Sequence, residues 1–252
     1  MDLNLNQKNV LITGSSKGIG FGLAQAFLDE GANVLVNARR DIDTSLFKFK
    51  HNDQLFTVQA DVSTTEGVKL ISKKVFEVFQ SKLDIIICNV GNGKSVAPGT
   101  ETSEDWQKSF QTNFFSTTNT IEGLKSLVSK NGSILCISSI CGIEVLGAPL
   151  TYSAAKAALN SYVMGLSRVM AKEGVRVNAI APGNILFAGS TWEQKLKDNE
   201  KSVKDMLDRE VALKQFGSIE DISNMALFLT SEKAKFVTGS IVVVDGGQVR
   251  GW

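Results

Sequence analysis

Tyr152 and Lys156 stand four residues apart in the stretch TYSAAKAAL, with only Ser and Ala between them. On a helix that spacing puts both side chains on one face, on adjacent turns. A phenol, with a pKa of about 10, carries protons poorly near neutrality. An ammonium about 4 Å away, at an effective dielectric near 20, favours the phenolate by roughly 4 kcal/mol. At about 1.4 kcal/mol per unit, that brings the phenol down by up to about three units, close to 7. The chemistry expected of the pair is general acid–base catalysis by Tyr152, tuned by Lys156. Alone, the pattern reads better as the start of an ordinary amphipathic helix. It has company: Ser139 at the end of SILCIS, whose hydroxyl could hold a substrate oxygen, and Asn113 within SFQTNFFS.

A second constellation lies near the N-terminus. TGSSKGIG, residues 13–20, follows an apolar run and opens a helical pattern. Gly14 suits the tight turn, Gly18 lets the backbone approach a diphosphate, and Gly20 permits close helix–strand packing. The free N–H groups and positive dipole end of the helix favour an anion. Beyond the next strand comes NARRD, with Ala38, Arg39 and Arg40. A dinucleotide site selective for NAD usually has an acid here, whereas a basic residue accommodates the 2′-phosphate of NADP. Guanidinium pairs with phosphate in two-pronged fashion. With Lys17 facing the same place, Arg39 points to NADP.

Positioning these groups requires a particular framework. Apolar runs at 9–13, 33–37, 55–59, 84–88, 133–138, 175–180 and 241–245 are short, β-branched and not alternating, as strands buried on both faces should be. Helical periodicity fills 18–30, 64–81, 103–129, 152–173 and 219–229. The segment 39–54 is polar and predicts at most one short helix. Strand–helix alternation implies right-handed crossovers and a parallel sheet covered on both sides. The 252 residues contain only three prolines and no linker, which predicts one doubly wound α/β domain spanning 1–252. The stretch 187–213 breaks the rhythm with about two polar, charge-mixed helices. It follows a strand's carboxyl end, where such folds place substrate lids.

Composition narrows the function. Apolar residues make up 43% and charged residues 21%, and the net charge is +1, so no one-signed field suggests nucleic acid or an anionic membrane. The polar N-terminus lacks a signal-peptide core, and no apolar run approaches a membrane span. Cys88, Cys136 and Cys141 lack metal-ligand spacing; two lie in buried-strand runs, which fits reduced thiols in a cytoplasm. One histidine, His51, sits in a polar turn and reads as a surface residue. It cannot supply a histidine-rich zinc site and makes a Ser-His-Asp triad a poor fit. No metal is expected.

With TGSSKGIG, DV (61–62), NVG (89–91), Asn113, SS (138–139), YSAAK (152–156), VRVNAIAPG (175–183) and DGG (245–247) in order, the chain resembles the short-chain dehydrogenase/reductase family along nearly its whole length. The resemblance implies a Rossmann-type domain with a seven-stranded parallel sheet, helices on both faces and a small helical lid. It implies catalytic roles for Asn113, Ser139, Tyr152 and Lys156. Tyr152 would carry the proton, Ser139 would orient the carbonyl or hydroxyl, and Lys156 would tune Tyr152 and hold the nicotinamide ribose. Asn113 would anchor a water in a proton relay. Cofactor contacts would come from Gly14, Ser16, Lys17, Gly18, Ile19, Gly20 and Arg39. Asp61 and Val62 would flank the adenine, Asn89 and Gly91 would line the cofactor path, and Pro182, Gly183 and Ile185 would approach the nicotinamide. A homotetramer, or homodimer, is likewise implied.

There are departures. Relatives often carry a Thr where this chain has Phe187, so its contact with the nicotinamide carboxamide would pass to backbone near Ile185, or to Ser190 or Thr191. The usual NNAG appears as CNVG. The expected reaction is NADP(H)-dependent interconversion of a ketone and a secondary alcohol, resembling the 3-oxoacyl-[acyl-carrier-protein] reductase branch. Asn92, Lys94 and Glu144 should border the pocket, with Phe187 and Trp192 on the lid. Such polar and aromatic groups suit a sugar or polyol equally well. A non-catalytic NADP-sensing regulator is the reading from another class, and it has no need of a tuned Tyr–Lys pair.

Overall fold

The computed structural model describes residues 2–51 and 54–251. In it the seven apolar runs join in one sheet, whose inner strands are buried on both sides. Strands β1 (Asn9–Ile12), β2 (Asn33–Ala38), β3 (Leu55–Gln59), β4 (Leu83–Cys88), β5 (Val128–Ile137), β6 (Arg176–Pro182) and β7 (Ile241–Val244) lie in the order 3-2-1-4-5-6-7. Every pairing is parallel. Residues of β1 show why strict alternation is absent: Leu11 enters one core, while Val10 and Ile12 enter the other. Helices α2 (Thr65–Phe79), α4 (Ser116–Leu124) and α5 (Leu150–Met170) cover the first face. Helices α1 (Gly18–Asp29) and α7 (Ile219–Thr230) cover the second. Strand order reverses between β1 and β4, which opens a crevice beyond their carboxyl ends.

The single helix expected over 103–129 is not formed. Helix α3 (Ser103–Phe110) runs through a π turn at Gln111–Phe115 into α4, which stops at Leu124. Val128 already pairs with Leu83 in β5, so the strand begins before Ser133. Apolar residues at helical spacing also fit a strand, and here sheet pairing decides. A register shift between Leu83 and Ile85, with Asn131 at φ 66°, absorbs the irregular entry. Other boundaries differ by a few residues. The polar segment 39–54 contains one short 3₁₀ turn, Thr44–Leu46, and exposed His51; its residues 52 and 53 lie outside the described residues.

The stretch 187–213 holds helix α6 (Thr191–Glu210), bent at Asn199 with φ −159° and ψ 84°. The Asn199 side-chain oxygen accepts from the Ser202 N–H at 3.0 Å and so caps the second half. The two expected polar helices are thus two halves of one bent run. Ion pairs Glu193–Lys197, Glu200–Lys204 and Lys201–Asp205 line its exposed surface, where solvent screens them. Only Val203 and Leu207 of this helix are buried.

Candidate active site

The glycine-rich loop sits in the crevice, at the carboxyl end of β1. Gly14 and Gly18 adopt φ 63° and 58°, in the left-handed region that favours glycine. A Cβ on Gly20 would lie 2.3 Å from the Gly14 carbonyl oxygen and 2.4 Å from Asn89 Nδ2, so only glycine fits. Asn89 Nδ2 donates to the Gly14 oxygen at 2.9 Å, and the Asn89 N–H donates to Thr13 Oγ1 at 3.1 Å. These bonds tie the loop to the end of β4. Ser15 braces it to β2: the Ser15 N–H donates to the Asn37 carbonyl at 2.9 Å, and Ser15 Oγ accepts from the Asn37 N–H at 2.9 Å.

The loop's donor set fits a diphosphate. Helices α2, α3, α6 and α7 are capped by Thr64, Thr102, Ser190 and Ser218, but Lys17 at the head of α1 makes no side-chain cap and no acid occupies the first turn. Backbone donors at that end are therefore left for a ligand. Ser16, Lys17, Arg39 and Arg40 are exposed around the loop and the end of β2. Among the described residues, no ion pair engages Lys17, Arg39 or Arg40. Asp61 and Val62 follow β3, next to this edge. Val62 is buried, and Asp61 Oδ1 accepts from the Ser63 N–H at 2.9 Å and hydroxyl at 2.7 Å.

Four elements bring the candidate catalytic residues together. Tyr152 and Lys156 lie near the start of α5, with the Lys156 Nζ 5.9 Å from the Tyr152 ring centre. Lys156 is 2% exposed, and its Nζ donates to the Ile137 carbonyl at the end of β5 at 2.7 Å. Ser139, two residues beyond, accepts from the Cys141 N–H at 3.1 Å. Asn113 occupies the π turn, a wider helical turn of the kind found at functional sites. Its amide donates to the Ser109 and Asn92 carbonyls, both at 3.1 Å, and its Oδ1 accepts from the Asn92 N–H at 2.7 Å. Gly91 is wedged between them: a Cβ there would lie 3.2 Å from Asn113 Oδ1 and 3.3 Å from Lys156 Nζ.

Electrostatics in the chain itself correct one expectation. Burial pushes the Tyr152 phenol up to about 12, against a hydrogen bond with Ser139 that lowers it. Burial pulls the Lys156 ammonium down to about 8, with Cys136 and Cys88 acting the other way. Lys156 alone does not bring Tyr152 toward 7, because at 5.9 Å, with its ammonium turned to a sheet carbonyl, its pull is outweighed by desolvation. Tyr152 thus holds its proton at neutral pH.

The remaining residues divide. Pro182 ends β6 and Gly183 follows, its N–H donating to the Val244 carbonyl at 2.9 Å; Ile185 is buried and bridges to Gly217. Ser190, a suggested replacement for the missing Thr, is already engaged: its Oγ accepts from the Glu193 N–H at 3.1 Å and the Phe187 N–H at 3.3 Å. Lys94 is exposed, whereas Glu144 Oε2 accepts from the Arg250 N–H at 2.8 Å and so holds the C-terminal tail. Trp192 packs on Phe216 with ring centres 5.4 Å apart. Sequence reading missed Ser109, Asn37 and the Ile137 carbonyl, and backbone partners carry no residue signal that could have revealed them. Gly93 was missed as well; a Cβ there would sit 3.9 Å from the Tyr152 ring.

The chain is similar to known proteins along nearly its whole length. A family model described as Enoyl-(Acyl carrier protein) reductase matches residues 14–248. Glucose 1-dehydrogenase 2 of Bacillus subtilis is 34% identical over 97% of this chain and 95% of its own length. A 3-oxoacyl-[acyl-carrier-protein] reductase of Staphylococcus epidermidis is 32% identical over 95% and 98%. L-sorbose reductase from Gluconobacter frateurii, solved with NADPH and L-sorbose, matches with a TM-score of 0.90 at 30% identity over all of both chains. With a family match from Gly14 through six of the seven strands and all four clustered residues, the chain belongs to the short-chain dehydrogenase/reductase family and is an oxidoreductase.

Proposed function

We propose that this protein is an NADP(H)-dependent oxidoreductase that interconverts a ketone and a secondary alcohol, with a small hydroxylated ketone such as a keto-sugar as substrate. The carrying observation is the convergence of Tyr152, Ser139, Lys156 and Asn113 beside a glycine-rich loop with free helix-end donors. NADPH, when bound, supplies a hydride from C4 of its nicotinamide ring. In reduction Tyr152 would give its proton to the substrate's carbonyl oxygen, which becomes the alcohol hydroxyl. The Ser139 hydroxyl donates to the same oxygen and fixes its direction. Lys156 holds the nicotinamide ribose and, through a water anchored near Asn113, returns a proton to Tyr152. The loop residues Gly14, Ser16, Gly18, Ile19 and Gly20 hold the diphosphate end. Asp61 and Val62 flank the adenine, Asn89 and Gly91 line the path, and Pro182, Gly183 and Ile185 approach the nicotinamide.

Selection of NADP rests on Arg39 and Lys17 with Ala38 in place of an acid. Gln59 Nε2 donates to the Arg39 carbonyl at 3.1 Å, which steadies the backbone while the guanidinium stays free for phosphate. Removing one charge-assisted hydrogen bond costs about 1.5–3 kcal/mol. Arg39→Ala is therefore expected to raise the KM for NADPH about tenfold or more and to leave NADH nearly unchanged. Equal losses for both cofactors would place the 2′-phosphate elsewhere.

Polar Asn92, Lys94 and Ser95 on one rim, with Trp192 on α6, support a hydroxylated substrate, as does likeness to a sorbose reductase and a glucose dehydrogenase. The 3-oxoacyl reading is supported by a relative of similar identity. A screen with NADPH against keto-sugars and β-ketoacyl thioesters separates the two, and no hydride transfer to any ketone would favour the sensing regulator. Helix α6 acts as the lid in this reading, since few buried anchors hold it. Hydrogen exchange across 187–213 is expected to slow when cofactor and substrate are both bound; full protection in the free enzyme would contradict a lid. Partly exposed apolar β7, with fully exposed Phe236 nearby in sequence, supports assembly into a homotetramer or homodimer. Three free thiols support a cytoplasmic setting; among the described residues, no helix is long and apolar enough to cross a membrane.

A further inference from the structure

Phe187 touches the phosphate loop. A Cβ on Gly18 would lie 2.8 Å from Cε2 and 3.0 Å from Cζ of the Phe187 ring. The ring therefore covers the glycine whose bareness should admit a diphosphate to the head of α1. Its backbone is held firmly: Ile185 bridges to Gly217, and the Leu186 N–H donates to the Gly217 carbonyl at 2.9 Å. The ring packs against the apolar cluster that includes Ile19 and Ile219. On the other side, the Ser190 N–H donates to the Phe187 carbonyl at 3.0 Å, and Ser190 caps α6.

We propose that Phe187 is a positioning residue for the cofactor, whose ring rests on the diphosphate seat in the free chain and leaves Gly18 as the diphosphate arrives. An apolar ring gives a phosphate no hydrogen bond, so the two do not share the seat. Occlusion lowers apparent affinity by the fraction of chains whose seat is open. The inference rests on the dinucleotide reading of the glycine-rich loop.

Phe187→Ala and the milder Phe187→Leu test it by stopped-flow association of NADPH and by equilibrium binding of two probes. NADPH carries the diphosphate, whereas adenosine 2′-monophosphate carries only the 2′-phosphate. Phe187→Ala is expected to bind NADPH about tenfold tighter, chiefly through faster association. Phe187→Leu should fall between it and the native chain, and the 2′-monophosphate should bind all three alike. Unchanged or weaker NADPH binding in both variants would overturn the proposal. So would equal shifts for both probes, the mark of a general structural effect. A native chain that binds neither probe would instead overturn the dinucleotide reading itself.

Discussion

Tyr152→Phe is expected to lower turnover about a thousandfold while NADPH binds as tightly as before. Positioned proton transfer contributes roughly 10²–10⁴ in rate, and the substitution removes only the hydroxyl that performs it. The ring remains beside Gly93 and above Lys156, so the pocket keeps its shape. Because burial holds Tyr152 near 12, the native enzyme keeps the acid form across the neutral range, and reduction is expected to show no loss from Tyr152 ionisation there. Oxidation needs the phenolate, so its rate falls as pH drops below the effective pKa in the ternary complex. Single-turnover reduction with parallel NADPH titration checks both halves. Near-normal kcat in the Phe variant would remove Tyr152 from the mechanism.

Lys156→Met should weaken NADPH binding and cut turnover at least about a hundredfold, yet leave the protein no less stable at neutral pH. Burial brings this ammonium from 10.5 to about 8, which costs the native fold about 3 kcal/mol at pH 7. The sign follows from linkage: between about 8 and 10.5 the unfolded chain binds the proton and the folded chain does not, so native stability rises with pH across that window. Met lacks the charge and the cost, but leaves the Ile137 carbonyl without its donor, a loss of about 1–3 kcal/mol. The two nearly cancel at pH 7. Thermal melts of both proteins from pH 7 to 10 should show the native chain gaining on the variant as pH rises. A large drop in melting temperature at pH 7 would mark Lys156 as structural.

Much of this site was legible in the sequence for one physical reason. Parallel strands buried on both faces leave unbroken apolar runs, and chemistry placed at their carboxyl ends falls directly after them. Gly14, Gly18 and Gly20 follow β1, Asn89 and Gly91 follow β4, and Ser139 follows β5. What stayed hidden depends on contacts between distant segments. The helix expected across 103–129 fails because Val128 pairs with Leu83. In the chain without cofactor, burial outweighs any pull of Lys156 on Tyr152, and the Lys156 ammonium turns to the Ile137 carbonyl. Spacing gives a shared helix face but not the direction of a long side chain. Nothing in the sequence indicates that Phe187 reaches Gly18, or that Glu144 is held by the Arg250 N–H.

Ionisation of Tyr152 with and without oxidised cofactor tests the mechanism most directly. The chain has two tyrosines, Tyr152 and Tyr162; among the described residues no hydrogen bond of good geometry reaches the buried Tyr162 hydroxyl, although Glu122 lies beside it, so Tyr162→Phe should be well tolerated. In that variant, ultraviolet absorbance of phenolate reports Tyr152 alone. Without cofactor the signal should rise only near about 12. With NADP⁺ bound, a positive ring beside the site should bring the rise down by about two units or more, and Lys156→Met should diminish that shift. Phenolate appearing near 7 in the free chain, or a titration that NADP⁺ does not move, would contradict a Tyr152 whose proton is governed by cofactor and lysine together.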